Sequence, residues 1–232
     1  MGVWSPSGTE IAYSSTAESG LEAWIVAADG SSPPRQITRG LGTVHVDAWS
    51  PDGRTLSVHQ HRGLSVVCLM VALDRPDQPP QVFAEGEGQT EGADFSRDGR
   101  HAVYSSTDSG RREIYVRPFP GPGPRLPVSV NGGREPRWAA NGELFFRSPD
   151  GRQLFSAKPG AGTPLAVGTP ELRFEGDYYI APTGSPRPQY DVTPDGKRFL
   201  MLAPTPRPEG SQNRSRLVVV QNWFEELKRL VP

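Results

Sequence analysis

The sequence predicts an all-β protein and, within that class, a β-propeller of about five recognisable blades, four full and one partial. Three observations support this. A Trp-Ser-Pro-Asp-Gly motif at residues 49–53 recurs along the chain, short apolar-alternating segments lie between its copies, and turn residues are abundant, with 26 Gly and 25 Pro among 232 residues. A repeat period in the forties, built of short strands, is typical of propeller blades.

Variants of the motif occupy residues 4–8, 49–53, 95–99, 138–142 and 192–196, so that successive copies begin 45, 46, 43 and 54 residues apart. The motif has the chemistry of a tight turn. Proline presets φ at the first corner, Asp or Asn tolerates the next corner, and Gly supplies a positive φ before the chain reverses. The aromatic residue ahead of each turn is expected to end a strand and to pack between blades.

Each repeat is expected to fold as a four-stranded blade, with the strand before the turn innermost. The repeats run over about 1–42, 43–88, 89–132, 133–186 and 187–221. The first repeat is expected to lack its innermost strand, because only three residues precede Trp4, and the fifth to lack its outermost. In the fourth repeat, a second turn at 148–151 predicts a hairpin within the blade, and 172–174 predicts one further strand.

Residues 222–232 predict a short capping helix. Asn222 is a suitable N-cap with Glu225 as its capping-box partner, and Trp223, Phe224 and Leu227 lie on one apolar stripe. An isolated helix of fewer than about 12 residues is marginal in water, so this one is expected to dock on the propeller as a plug or lid. The alternative is an interaction helix.

The number of blades predicts incomplete closure. Six blades of about 45 residues require about 270 residues, so the chain is expected to be the C-terminal part of a six-bladed propeller, an open ring with exposed strand edges. Such edges favour self-association, so dimers or aggregates are expected, with better solubility when upstream residues are restored. The alternative is a closed, monomeric ring of five blades.

Composition narrows the classes of partner. The chain has 25 basic and 26 acidic residues, a net charge of -1 and no long run of one sign, so no nucleic-acid partner is expected. No stretch approaches 18 apolar residues, so no direct membrane insertion is expected either. Cys68, the single cysteine, lies in the apolar run 66–71 and is predicted to be a buried structural thiol.

A search for reactive motifs predicts no catalytic residue, no metal site and no cofactor. No Gly-x-Ser-x-Gly nucleophile elbow occurs. His59 and His61 share one strand face at i, i+2 and are conceivable metal ligands. Gln60 and Arg62 flank them, however, and no pattern of further His or Cys ligands accompanies them. An exposed blade strand is the favoured interpretation.

The candidate ligand-binding residues are polar side chains on or near the innermost strands, where several blades converge on a central channel. They are His45, Asp47, Asp94, Glu135, Arg137 and Asp191. A solvated, hydrogen-bonded lining is the favoured interpretation, and a dedicated site for a small molecule or a cation is the alternative. Asp52, Asp98 and Asp195 belong instead to the turns and are expected to bind the amides of their own turns.

The recurring turn, each copy followed by a strand such as Ile11-Ala12-Tyr13 and a later Asp-Gly, resembles the TolB-type, WD-like β-propeller repeats of bacteria over nearly the whole chain. Residues 144–151, 190–201 and 222–228 are also similar to the C-terminal end of the propeller that follows the kinase domain in many bacterial serine/threonine protein kinases. In that family the propeller is taken to be a sensing or protein-interaction module, often extracytoplasmic behind one transmembrane helix.

The kinase motifs themselves are absent from this sequence, so any phosphoryl transfer would belong to a parent chain. The resemblance therefore implies a non-catalytic propeller that binds a protein or a small ligand within a larger bacterial signalling protein, in the periplasm or another extracytoplasmic compartment. Two alternatives remain open. One is a propeller enzyme, a hydrolase or lyase with its site at the central channel, and the other is a scaffold of a cell-envelope complex, as TolB is.

Overall fold

The computed structural model describes residues 2–121, 123–158, 160, 166–181 and 188–203, and all of its regular structure there is β. The all-β prediction is confirmed. The predicted capping helix at 222–232 lies outside the described residues. Within the described ranges, no helix is long and apolar enough to cross a membrane.

Four antiparallel sheets of four strands follow one another along the chain, and a two-stranded sheet completes the described part. The first blade contains β1 Gly2–Trp4, β2 Glu10–Ala17, β3 Gly20–Ala27 and β4 Arg35–Gln36. The second contains β5 Thr43–Trp49, β6 Thr55–Arg62, β7 Ser65–Ala72 and β8 Gln81–Ala84. In both, the strands are hydrogen-bonded in chain order.

The third blade contains β9 Thr90–Phe95, β10 His101–Ser106, β11 Glu113–Pro118 and β12 Leu126–Pro127. The fourth contains β13 Arg134–Trp138, β14 Leu144–Arg147, β15 Gln153–Ala157 and β16 Glu171–Glu175. The described strands of the fifth are β17 Tyr190–Val192 and β18 Phe199–Met201. The hairpin predicted inside the fourth blade is confirmed, since β14 pairs with β15 across the second turn.

The first blade has an innermost strand, so the expectation that it lacks one is wrong. Strand β1 pairs antiparallel with β2, with Gly2 opposite Tyr13 and Trp4 opposite Ile11. The reason is that the aromatic residue of the motif is itself the last residue of the inner strand. Three residues therefore suffice to continue the ladder of β2.

The hydrophobic core is divided among the seams between successive blades. Trp49, Phe95 and Trp138 are at most 8% exposed, and each packs in the cluster that joins its own blade to the preceding one. The indole nitrogen of Trp49, for example, donates a hydrogen bond to the carbonyl oxygen of Val3 at 3.2 Å. Trp4, in the first blade, is 61% exposed. The packing predicted for the motif aromatics is thus confirmed for these three but not for Trp4.

Cys68 lies in the seam between the second and third blades and is completely buried, which confirms the prediction of a buried thiol. Burial is the main cause that raises the pKa of this thiol well above its ordinary value, and the negative charge of Asp47 adds to it. The residue therefore behaves as a small apolar side chain of the core.

The recurring turn has one hydrogen-bond pattern. In the second repeat, Ser50 Oγ donates to Asp52 Oδ1 at 2.6 Å, and the same carboxylate oxygen accepts the amide of Arg54 at 3.0 Å. Gly53 adopts a φ of 72°, which explains the glycine at this corner. Equivalent hydroxyl–carboxylate–amide contacts hold the turns at Asp98, Asp150 and Asp195. The expectation that the turn aspartates bind their own turns is confirmed.

These turns predict a loss of stability in acid. The pKa values of Asp52, Asp98 and Asp150 are lowered from 3.8, mainly by the neighbouring serine hydroxyl. A lowered folded-state pKa contributes stability that is complete above the unfolded value and is lost as pH falls through the folded value. We therefore expect the urea concentration at the midpoint of unfolding to decrease as the pH is lowered below about 4. In a variant that carries Asp52→Asn, Asp98→Asn and Asp150→Asn, we expect a smaller decrease.

Asparagine suits these positions, because Asn141 in the fourth repeat accepts the amide of Glu143 through Oδ1 at 3.0 Å. An Asp77→Asn variant, altered at an exposed position outside the recurring motif, is the control. Asp94 acts in the opposite sense, since its raised pKa contributes stability that is lost as pH rises through the folded value. Equal acid sensitivity of the triple variant and the original chain would contradict the prediction.

Candidate functional site

Residues of the innermost strands β1, β5, β9, β13 and β17 border a common cavity of about 530 Å³, which lies in what we call the central channel. Its wall combines apolar and charged residues. Trp4, Leu200 and Leu202 are 61%, 71% and 50% exposed, respectively, and all three border the cavity. The channel thus presents accessible apolar surface next to polar groups, a combination common in binding sites.

Three of the predicted residues meet in this channel, each from a different blade. Arg137 Nη2 lies 3.1 Å from Asp191 Oδ1 and forms an ion pair with it. Asp94 Oδ2 accepts a hydrogen bond from the backbone amide of Trp138 at 2.9 Å, and this places Asp94 next to Arg137, the residue that precedes Trp138. We call Asp94, Arg137 and Asp191 the channel triad. All three residues border the same cavity.

Electrostatics make Arg137 the anchor of the channel triad. Burial is the main cause that raises the pKa of Asp94, and the positive charge of Arg137 offsets part of this effect. Burial alone would lower the pKa of Arg137, but the attraction of Asp94 and Asp191 outweighs it and raises that pKa. Arg137 therefore stays charged. Its side chain is 39% exposed and that of Asp191 is 60% exposed, so both are accessible to a ligand.

Glu135 does not line the channel, which corrects the expectation from sequence. It is 0% exposed, and its Oε2 lies 3.1 Å from Arg147 Nη1 and accepts the amide of Gln189 at 3.0 Å. The backbone explains the orientation. Glu135 has a φ of 56°, the only positive value at a non-glycine residue in the described ranges, within an irregularity of the pairing between β13 and β14. This conformation accompanies a carboxylate buried between the fourth and fifth blades.

His45 and Asp47 were also predicted as channel residues, but they do not belong to the channel triad. Asp47 borders the cavity, but its carboxylate is 2% exposed and its Oδ1 lies 2.8 Å from His59 Nδ1. His45 is directly opposite His59 in the β5–β6 ladder, and their rings stack with centroids 4.9 Å apart. His61 lies with its ring centroid 5.4 Å from that of His45. We call His45, His59 and His61 the histidine cluster.

Sequence reasoning missed the histidine cluster for a definite reason. The sequence shows that His59 and His61 share a face, but it does not give the strand register that places His45 opposite His59. The expectation of an exposed strand is correct for His61 and wrong for His59, which is 2% exposed. The usable signal was Asp47 in the inner strand β5, because a carboxylate that becomes buried there needs a polar partner.

The fold and the channel together define a β-propeller with a mixed polar and apolar central cavity. Its solved structural neighbours include TolB structures. A TolB-type structure from Agrobacterium tumefaciens is 21% identical with a TM-score of 0.64, and the match covers 86% of this chain and 71% of that one. TolB from Acinetobacter baumannii is 18% identical with a TM-score of 0.59, covering 86% of this chain and 50% of the other. At these identities the similarity is one of fold.

Among curated proteins, an uncharacterised protein of Agrobacterium fabrum is 29% identical over 111 residues. The alignment covers 48% of this chain and 37% of that protein, so the matched segment spans little more than a third of the relative. No protein-family model matches the chain.

The same fold also occurs in structures named as enzymes. A gluconolactonase structure has 13% identity and a TM-score of 0.56, covering 89% of this chain and 77% of the other. A prolyl endopeptidase has 11% identity and a TM-score of 0.52, covering 87% and 34%, respectively. Since one fold serves both kinds of protein, the function must be argued from the site.

Proposed function

We propose that this protein is a non-catalytic propeller that binds an extended segment of a partner protein in its central channel, as the interaction or sensing module of a larger bacterial signalling protein. One observation carries the proposal. The channel triad, contributed by three blades, lies in the same cavity as the exposed apolar side chains of Trp4, Leu200 and Leu202.

The chemistry of the channel favours a peptide ligand. A cavity of about 530 Å³ falls within the usual range of binding pockets, about 300–1,000 Å³. The guanidinium of Arg137 offers further donors besides the one directed at Asp191, and these suit backbone carbonyls or a carboxylate. Exposed apolar surface beside such polar groups is typical of protein interaction sites. An amphipathic extended segment matches both parts of the wall.

The resemblance of residues 144–151 and 190–201 to kinase-associated propellers supports the cellular context of this proposal. By that resemblance, the module acts in an extracytoplasmic compartment. Binding of the partner segment in its channel is then signalled to another domain of the parent chain. A cell-envelope scaffold would use the same channel surface, with the bound segment as its partner.

A channel enzyme is the second candidate, and the raised pKa of Asp94 is the observation that favours it. Against it, both oxygens of Asp94 accept backbone amides, Oδ1 from Phe95 and Oδ2 from Trp138, each at 2.9 Å. That geometry suits a structural carboxylate better than one that transfers protons to a substrate. Sustained phosphatase, peptidase, esterase or lactonase turnover, abolished by Asp94→Ala, would overturn the binding proposal in favour of the enzyme.

Photocrosslinking tests where a partner binds. A benzophenone amino acid at position 200, inside the channel, is expected to capture a protein from bacterial envelope extracts, because Leu200 is 71% exposed on the cavity wall. The same probe at position 64 is the matched control, since Leu64 is 98% exposed on the β6–β7 hairpin. Arg137→Gln is expected to reduce capture at position 200 about tenfold, as loss of an interfacial charge pair does.

Arg39→Gln, at an exposed arginine away from the channel lining, is expected to leave capture unchanged. The measurement is the yield of each adduct by mass spectrometry. Identical adducts from positions 64 and 200, or capture that is indifferent to Arg137→Gln, would contradict channel binding.

A further inference from the structure

The histidine cluster combines three imidazoles on one face of the second blade. His59 and His61 are two residues apart on β6, so they project from the same face, and His45 joins them from β5 by direct cross-strand pairing with His59. One potential ligand atom from each of the three side chains lies within 4.8 Å of the others. The two strands pair in regular register from Thr43 opposite His61 to Val46 opposite Val58, so the backbone holds the three histidines in place, and the irregularity of the ladder falls at Asp47.

The spacing is close to that of a coordinated metal ion. Zn–N bonds of about 2.0–2.1 Å place the nitrogens of a tetrahedral site about 3.4 Å apart. Side-chain rotations that move the imidazole nitrogens by about 1 Å therefore complete the geometry, without any change in the strands. Three imidazoles with one open position form a ligand set that zinc sites use.

Asp47 provides a second, independent observation. Its Oδ1 binds His59 Nδ1 at 2.8 Å, which leaves His59 Nε2 as the nitrogen for a metal. A carboxylate that orients a ligating histidine in this way is the usual partner in metal sites. Asp47 Oδ2 is buried and has no hydrogen-bond partner among the described residues. A buried carboxylate that is only partly satisfied is costly unless positive charge lies nearby, and a divalent cation in the cluster supplies that charge.

Access to the cluster is graded. His59 is buried, His45 is partly buried and His61 is exposed, so a cation reaches the cluster from the side of His61. Glu91 of the neighbouring blade acts on His61 through its negative charge, and it is already paired with Arg112.

We propose that the histidine cluster is a binding site for a divalent transition metal, Zn²⁺ in the first instance. His45, His59 and His61 are its ligands, and Asp47 is a positioning residue that acts through His59. The three ligands are not among the residues that border the cavity of the channel triad, although Asp47 is, and the site does not depend on the proposed function. Imidazole ligands favour Zn²⁺, Ni²⁺ and Cu²⁺ over Mg²⁺ and Ca²⁺, which prefer oxygen.

Calorimetric titration of the full chain with ZnCl₂, after dialysis against a chelator, tests the site. The expected result is one Zn²⁺ per chain with a Kd of about 1 µM or tighter, equivalent to about -8 kcal/mol. His61→Ala removes an exposed ligand with little risk to folding and is expected to weaken binding about a hundredfold. His101→Ala is the matched control, because His101 is the fourth histidine of the chain and lies outside the cluster.

The Asp47→Asn variant tests whether Asp47 positions His59 for metal binding or only stabilises the fold. It is expected to weaken Zn²⁺ binding about 10- to 100-fold while stoichiometry stays at one, as other changes to carboxylates behind metal-bound histidines do. Circular dichroism and the thermal midpoint without metal report whether each variant is folded, and His45→Gln serves as a second ligand variant. Failure to bind Zn²⁺ at millimolar concentration, or equal binding by the original chain and folded His61→Ala and His45→Gln, would overturn the proposal.

Discussion

Arg147→Met is expected to lower the free energy of unfolding by about 3–5 kcal/mol, the usual cost of removing one partner of a buried ion pair. Arg147 and Glu135 are both 0% exposed, and their charged atoms lie 3.1 Å apart. The guanidinium also binds the carbonyl oxygens of Gly151 and Tyr179. The substitution removes the cation that is hydrogen-bonded to Glu135 and leaves Arg134, whose Nε lies 3.2 Å from Oε1 without a hydrogen bond, as the remaining counter-charge.

The double variant Glu135→Gln, Arg147→Met tests this explanation. It removes both charges, so it is expected to recover a large part of the loss and to give a coupling energy of at least about 1 kcal/mol in a double-mutant cycle. Arg152→Met, at an exposed arginine in the adjacent turn, is the control. Urea unfolding of the original chain, of Glu135→Gln and Arg147→Met singly, of the double variant and of the control measures the effect. Additive losses from the two single changes would show that the ion pair is not what stabilises this seam.

Glu22→Ala is expected to lower the free energy of unfolding by about 3 kcal/mol, since each unsatisfied buried donor costs about 1–3 kcal/mol. The Glu22 carboxyl is 0% exposed. It accepts hydrogen bonds from Thr38 Oγ1 at 2.5 Å, from Ser19 Oγ at 2.7 Å and from the amide of Leu41 at 3.0 Å. Removing it leaves the Leu41 amide without this acceptor and releases the loop that follows β4.

The third blade contains the same device, which allows an internal comparison. Glu113 accepts hydrogen bonds from Ser129 Oγ and from the amide of Gly132, and the Ser129 hydroxyl accepts the amide of Ile114 at 2.7 Å. Glu113→Ala is therefore expected to cost about as much as Glu22→Ala. Glu18→Ala, at an exposed position, is the control. Losses below about 0.5 kcal/mol at both buried sites, within the range of ordinary surface changes, would contradict the prediction.

The propeller architecture was predictable because its signal is local and repeated. Each turn is determined by three or four adjacent residues, such as Ser50, Asp52 and Gly53, whose hydrogen bonds close within the turn itself. Alternating apolar residues then assign the strands between the turns, and five copies of one weak pattern reinforce each other. The channel positions of Asp94, Arg137 and Asp191 followed from the same logic, because each directly precedes its motif.

The buried polar groups were not predictable in the same way. Glu22 and Thr38 are 16 residues apart, and nothing in their immediate neighbours indicates that they bind each other. Glu135 directs its carboxylate away from the channel because a positive φ interrupts β13. Such contacts depend on how one strand or blade lies against another, which the local pattern does not contain.

The sequence by itself thus determined the fold class, the recurring turns and the innermost strands of the second to fifth repeats, since each depends on residues close together in the chain. Tertiary structure alone decided which polar side chains meet. The pairing of β5 with β6 set His45 opposite His59 and formed the histidine cluster, and the packing of the fourth blade against the fifth buried Glu135 with Arg147. The physical reason is that a shift of one residue in register moves every side chain of a strand to the other face.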